Sequence, residues 1–134
     1  HAGLGYNTFP LMNDQWVAEA VFRMQPWWLS AIENTATIQF VHRWLGALVL
    51  ILVAIIWIRS LMGQSRQFRW AVSLVLFATL VQFGLGVFTL IYVIPIGLAS
   101  LHQAWACVLL LSVVYLVYIV REPSESMDLV RATP

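Results

Sequence analysis

Polar and apolar positions divide this chain unevenly. Residues 1–37 mix the two and carry turn-forming Gly3, Gly5, Asn7, Pro10, Asn13 and Pro26. From Trp44 to Ile58 there is no Asp, Glu, Lys or Arg. Extended back to Ile38, that run reaches about 20 residues, enough for one membrane-spanning helix. From Trp70 to Val120 there is again no charged residue. A single helix of that length would measure about 76 Å, against a hydrocarbon core of about 30 Å. The run must fold back, and Pro95 and Gly97 mark the place. The pattern predicts an all-α integral membrane protein with spans at 38–59, 70–93 and 99–120. The spans form a 38–121 membrane region, after a 1–37 loop with short interfacial helices near 15–24 and 28–36. A solvated tail, 122–134, follows.

Composition strengthens this reading. Hydrophobic residues make up 61% of the chain and charged residues 10%, far below the quarter that is usual in soluble domains. The seven basic residues are all arginine, and a net charge of +1 gives no reason to expect a nucleic-acid partner. Arg59, Arg66 and Arg69 lie between the first two spans, and Arg121 and Arg131 follow the third. With three spans all five share one side, which the positive-inside rule makes cytoplasmic or mitochondrial matrix. The N-terminal segment and the Pro95 turn then lie outside. Trp16, Trp27 and Trp28 suit the lipid headgroup zone there. Cys107 sits alone in an apolar run and reads as a packing residue. The chain starts at His1 and shows no signal-peptide pattern, so it reads as a fragment or a processed piece.

Two histidines carry the candidate chemistry. His42 lies 17 residues before Arg59 and His102 lies 19 before Arg121. Helical rise puts them about 26 Å and 29 Å from the inner ends of parallel spans, at one depth near the outer surface. Two imidazoles at one level suit the axial positions of a single haem iron. Gly46 and Ala106, each one turn inward, would let a flat macrocycle approach, and Gly84 and Gly86 would lie against a ring. Arg43 would pair with a propionate. Plainer accounts stay open. Either histidine can hydrogen-bond across helices, the glycines can serve helix packing, and Arg43 can snorkel to headgroups. A zinc site fits poorly, because only Glu33 from the loop could join the pair.

Several stretches together resemble one known family, the haem A synthases. They are Ala2-Gly3-Leu4-Gly5-Tyr6-Asn7-Thr8-Phe9-Pro10-Leu11-Met12, then Glu33-Asn34 with Gln39-Phe40-Val41-His42-Arg43. Gln82-Phe83-Gly84-Leu85-Gly86-Val87-Phe88-Thr89 and Leu98-Ala99-Ser100-Leu101-His102-Gln103-Ala104 complete the set. The likeness covers roughly residues 2–120. It implies an eight-span parent of two four-helix halves, this chain being the C-terminal half without its first helix. It implies that His42 and His102 are the axial ligands of a haem b. It further implies an oxidoreductase that converts a methyl group of haem O to the formyl group of haem A. The catalytic residues would lie in the N-terminal half, and none is assigned here. The absence of a loop cysteine pair suggests the alphaproteobacterial and mitochondrial branch.

The expected setting is a bacterial plasma membrane or the mitochondrial inner membrane. Partners would be the lipid bilayer, haem O, an unidentified electron donor and haem O synthase. The competing functions are a membrane b-type cytochrome that only transfers electrons and a haem-free structural bundle. Three spans would leave one wall of the pocket open, so weak haem binding or poor folding is expected of the fragment alone.

Overall fold

The computed structural model describes residues 5–121. The tail expected at 122–134 lies outside the described residues. A 3-10 turn, Trp27–Leu29, runs into a one-turn helix, α1 (Ser30–Glu33). Three long helices follow: α2 (Thr35–Ser60), α3 (Arg66–Ile91) and α4 (Ile96–Arg121). Each has 26 residues and is apolar enough to cross a membrane. At 1.5 Å per residue each measures about 39 Å, longer than the hydrocarbon core by about a turn at either end. There is no strand among the described residues.

Local chemistry explains where the helices begin and end. The Asn34 side chain accepts from the backbone N–H groups of Ala36 and Thr37 at 2.9 and 3.1 Å, which caps α2. Its amide nitrogen donates to the carbonyl of Ala20 at 2.8 Å, tying the helix start to the segment before it. Ser65 caps α3 through Phe68 N–H at 3.2 Å. Arg59 and Arg121 sit in the last turns of α2 and α4, where cations favour the helix dipole. Gly63, at φ +79°, makes the turn between α2 and α3.

The second turn differs in detail from expectation. Gly97 is already inside α4, and the reversal falls on Tyr92–Pro95. Val93 and Ile94 take φ of 60° and 56°, a left-handed conformation rare for β-branched residues. Their N–H groups close the end of α3, donating to Leu90 and Thr89 carbonyls at 3.1 and 2.8 Å.

Helix α3 packs against both α2 and α4, whereas α2 and α4 make no extensive contact. The arrangement is a wedge with α3 at its back. Ala71, Val72, Val75, Ala78 and Thr79 are buried along α3. Trp57 Nε1 donates to Ser73 Oγ at 3.1 Å across α2 and α3, and Trp105 Nε1 donates to the Ala78 carbonyl at 3.0 Å across α4 and α3.

The N-terminal segment is irregular. The helix expected near 15–24 does not form, and that stretch is turns and bends. Asn13, Asp14 and Phe22 adopt positive φ, which breaks a right-handed helix. Met12, Ala18 and Val21 are instead buried against Ala36, with Tyr6 and Phe40 beside them. Burial over the start of α2 outweighs local helix preference here.

Candidate functional site

The open side of the wedge is a cavity of about 310 Å³, between α2 and α4 and backed by α3. Its walls are mostly apolar: Phe9, Leu45, Val49, Val87, Leu90 and Leu109 all face it. Its polar contributors are Gln39, His42, Arg43, Thr79, Gln82 and His102. Size and lining suit an amphipathic ligand.

His42 comes from α2 and His102 from α4, and their ring centroids are 6.5 Å apart with planes at 83°. His42 is exposed on its side of the cavity, while His102 is half-buried. The His102 ring rests on Gly86 of α3. A Cβ at Gly86 would stand 3.1 Å from His102 Cε1 and 3.6 Å from Nδ1. A side chain here would crowd the imidazole, which would have to give by a few tenths of an ångström. Gln82 Nε2 lies 3.3 Å from His102 Nε2. Which of the two donates depends on the tautomer of the imidazole.

Arg43 is tied to the N-terminal segment. Nη1 donates to the carbonyls of Thr8 and Leu11 at 2.8 and 3.1 Å. Nη2 donates to the Tyr6 carbonyl at 2.6 Å and to Gln39 Oε1 at 3.3 Å. The guanidinium thus gathers the segment 6–11 over one end of the cavity. Phe9 meets Phe83 edge-on at 6.0 Å, and Asn7 Nδ2 donates to the Leu90 carbonyl at 3.0 Å. This strap therefore touches both α2 and α3.

Among the described residues, four buried side-chain atoms lack a hydrogen-bond partner: Gln39 Nε2, Arg43 Nε, Gln82 Oε1 and His102 Nδ1. All four belong to residues lining the cavity. Each such group costs about 1–3 kcal/mol when left unsatisfied.

The remaining expected residues are placed unequally. Gly46 lines the cavity and packs on Phe83, at 3.8 Å for an added Cβ. Ala106 is exposed and does not line it, and a Cβ at Gly84 would meet nothing within 4 Å. Glu33 closes α1 and does not reach the lining. Among the described residues no three His, Cys, Asp or Glu side chains group together as a metal site. Sequence reasoning assigned no role to Gln39 or Gln82. Gln82 was nonetheless visible as a polar side chain inside a charge-free apolar run, where such residues are costly to place.

Fold and site define a multi-pass helical membrane protein with two histidines in a mostly apolar cavity. The chain belongs to a family described as cytochrome oxidase assembly protein, whose family model matches residues 1–114. A haem A synthase of Wolbachia pipientis wMel is 40% identical over 94% of this chain and 34% of its own length. The Agrobacterium fabrum haem A synthase is 43% identical over 82% of this chain and 30% of its own. Haem A synthase COX15 of Arabidopsis thaliana is 36% identical over 94% and 28%. The chain thus spans about a third of the length of these curated relatives. No solved structure matches it.

Proposed function

We propose that this chain forms the cofactor-haem site of a haem A synthase, with His42 and His102 as axial ligands of a haem b. One observation carries the reading: the two imidazoles line one cavity with their ring centroids 6.5 Å apart. Two imidazoles trans on one metal, each bound at about 2 Å through a nitrogen about 1 Å from its ring centre, have centroids about 6 Å apart. The residues therefore fit the group. The apolar walls suit a macrocycle, and Gly46 and Gly86 keep its approach clear.

The haem would supply one-electron chemistry. The chain's residues supply ligation and a water-poor setting. His42 and His102 together would hold the iron and leave no position for oxygen, which favours electron transfer over oxidation at this site. Oxidation of the haem O methyl group would then belong to the part of the protein that the relatives have beyond this third. Gln82, 3.3 Å from His102 Nε2, would help orient the imidazole. The arginine-rich end, with Arg59, Arg66 and Arg69, would face the cytoplasm or matrix of the inner membrane that holds the protein. Haem O is the proposed substrate.

The test uses the full-length protein carrying this chain, expressed with a source of haem O. Haem A should accumulate, and His42→Ala with His102→Ala should remove one low-spin haem from the optical spectrum. Haem O as the sole product would sink the synthase reading. A spectrum unchanged in the double variant would sink the ligand assignment.

A further inference from the structure

A second cavity of about 310 Å³ lies at the other end of the helices, beside the turn between α2 and α3. Leu61, Arg66, Arg69, Trp70 and Ser73 line it. Arg66 and Arg69 stand three positions apart in α3, so both leave one face of that helix. Ser73 is already committed: its Oγ donates to the Arg69 carbonyl at 2.8 Å and accepts from Trp57 Nε1 at 3.1 Å. The donors left to the cavity are the two guanidiniums. Among the described residues the acids are Asp14, Glu19 and Glu33, all before α2 and so a helix length of about 39 Å away. The ion pair among those residues joins Arg23 to Glu19. Arg66 and Arg69 do not serve their own helix either. Positive charge in a first turn opposes the helix dipole, and α3 has no acid there to offset it. Membrane orientation needs only arginine on that side, which Arg59 and Arg121 supply from last turns. Two uncompensated cations lining one cavity point to an anion from outside the chain.

Depth identifies that anion. Helix α3 exceeds the hydrocarbon core by about a turn at either end, which puts Arg66–Trp70 at headgroup level. Trp70, 67% exposed, is the residue type that favours this level. The anion abundant there is the phosphate of a phospholipid. We propose that Arg66 and Arg69 bind the phosphate of one anionic phospholipid, whose headgroup carries no ammonium of its own. The guanidiniums donate to the phosphate oxygens. Leu61 and Trp70, both exposed, cover the glycerol and the first acyl methylenes. A choline or ethanolamine headgroup would bring a third cation beside the two arginines, whereas a glycerol headgroup brings none. The bound phosphate offsets the charge that opposes the α3 dipole and ties the α2–α3 turn to one leaflet. The inference does not depend on the haem reading, because the two cavities share no lining residue.

The experiment places the full-length protein in nanodiscs of equal parts phosphatidylglycerol and phosphatidylcholine. Native mass spectrometry then counts the lipids retained on release. Phosphatidylglycerol should be retained in preference, by about fivefold for each arginine that holds it. Arg66→Gln with Arg69→Gln should abolish the preference. Arg59→Gln with Arg121→Gln removes the same charge from the same end but from outside the cavity, and should leave the preference in place. Equal retention of the two lipids by the wild type would overturn the proposal, and that comparison needs no variant to fold. An equal loss in the two double variants would also overturn it, since the charge would then act diffusely. Displacement of phosphatidylglycerol by millimolar inorganic phosphate would show a site for free phosphate and not for lipid. The acids after α4 are the rival occupant. If Glu122→Gln, Glu125→Gln and Asp128→Asn together raise phosphatidylglycerol retention severalfold, those acids fill the cavity and the lipid assignment fails. Unchanged retention in that variant supports the lipid.

Discussion

The two halves of α3 are covered differently. In the first half, Ala71, Val72, Val75 and Ala78 are buried. In the second, Gln82, Phe83, Gly86, Val87 and Leu90 are only half-buried and face a cavity. One continuous helix is thus protein core at one end and ligand wall at the other. The residue types follow the division. Small and β-branched residues let helices approach closely where they pack. Glycine and glutamine appear where something other than a helix must fit. The packed half sets the spacing of α2 and α4, and that spacing holds His42 and His102 apart at 6.5 Å.

The largest expected effect comes from crowding the packed half. Ala78 is 1% exposed, and its carbonyl accepts from Trp105 Nε1. Ala78→Leu should cost about 1–3 kcal/mol of stability by overpacking. Thermal unfolding in detergent would show a lower Tm, with Leu80→Ile as the control because Leu80 is exposed on the lipid side. Similar losses for both variants would mean that the first half is no more tightly packed than the helix surface.

The hollow half should respond through binding instead. An alanine Cβ at Gly86 would stand 3.1 Å from His102 Cε1, so the ring must move. Gly86→Ala should weaken haem binding about tenfold, or about 1.4 kcal/mol, with little change in Tm. Gly84→Ala is the matched partner, since its Cβ would meet nothing within 4 Å. It should leave both quantities unchanged. Equal behaviour of the two glycines in a titration would separate the cavity wall from the His102 contact.

Much of this division was legible beforehand. Run length against bilayer thickness yields three spans, and counting residues to Arg59 and Arg121 puts His42 and His102 at one level. Those inferences need only helical rise. What stayed hidden depends on backbone. Arg43 binds the carbonyls of Tyr6, Thr8 and Leu11, 32 to 37 positions away. Every residue has a carbonyl, so no pattern of side chains announces such partners. The irregular 15–24 stretch was hidden for a related reason. Positive φ at Asn13, Asp14 and Phe22 follows from packing on α2, a long-range cause. Ala106 shows the limit of spacing arguments, since a residue one turn from a histidine need not share its cavity. The lining is met again further along, at Leu109.

The smallest expected effect tests whether the halves are independent. Trp57 Nε1 donates to Ser73 Oγ at 3.1 Å, joining α2 to α3 far from the histidines along both helices. Trp57→Phe keeps most of the ring and removes the donor. Ser73 retains its bond to the Arg69 carbonyl at 2.8 Å, and Ser60 retains its bond to the Trp57 carbonyl at 2.6 Å. Only the interhelical bond is lost. A double-mutant cycle with Ser73→Ala should give a coupling of about 0.6 kcal/mol, the usual size for such bonds within membranes. Haem affinity should not change, because α3 remains held by Val72, Val75 and Ala78. If Trp57→Phe weakens haem binding as much as Gly86→Ala does, the histidine spacing depends on this single bond. The packed half would then be a hinge, and the cavity above it would open and close with the angle between α2 and α3.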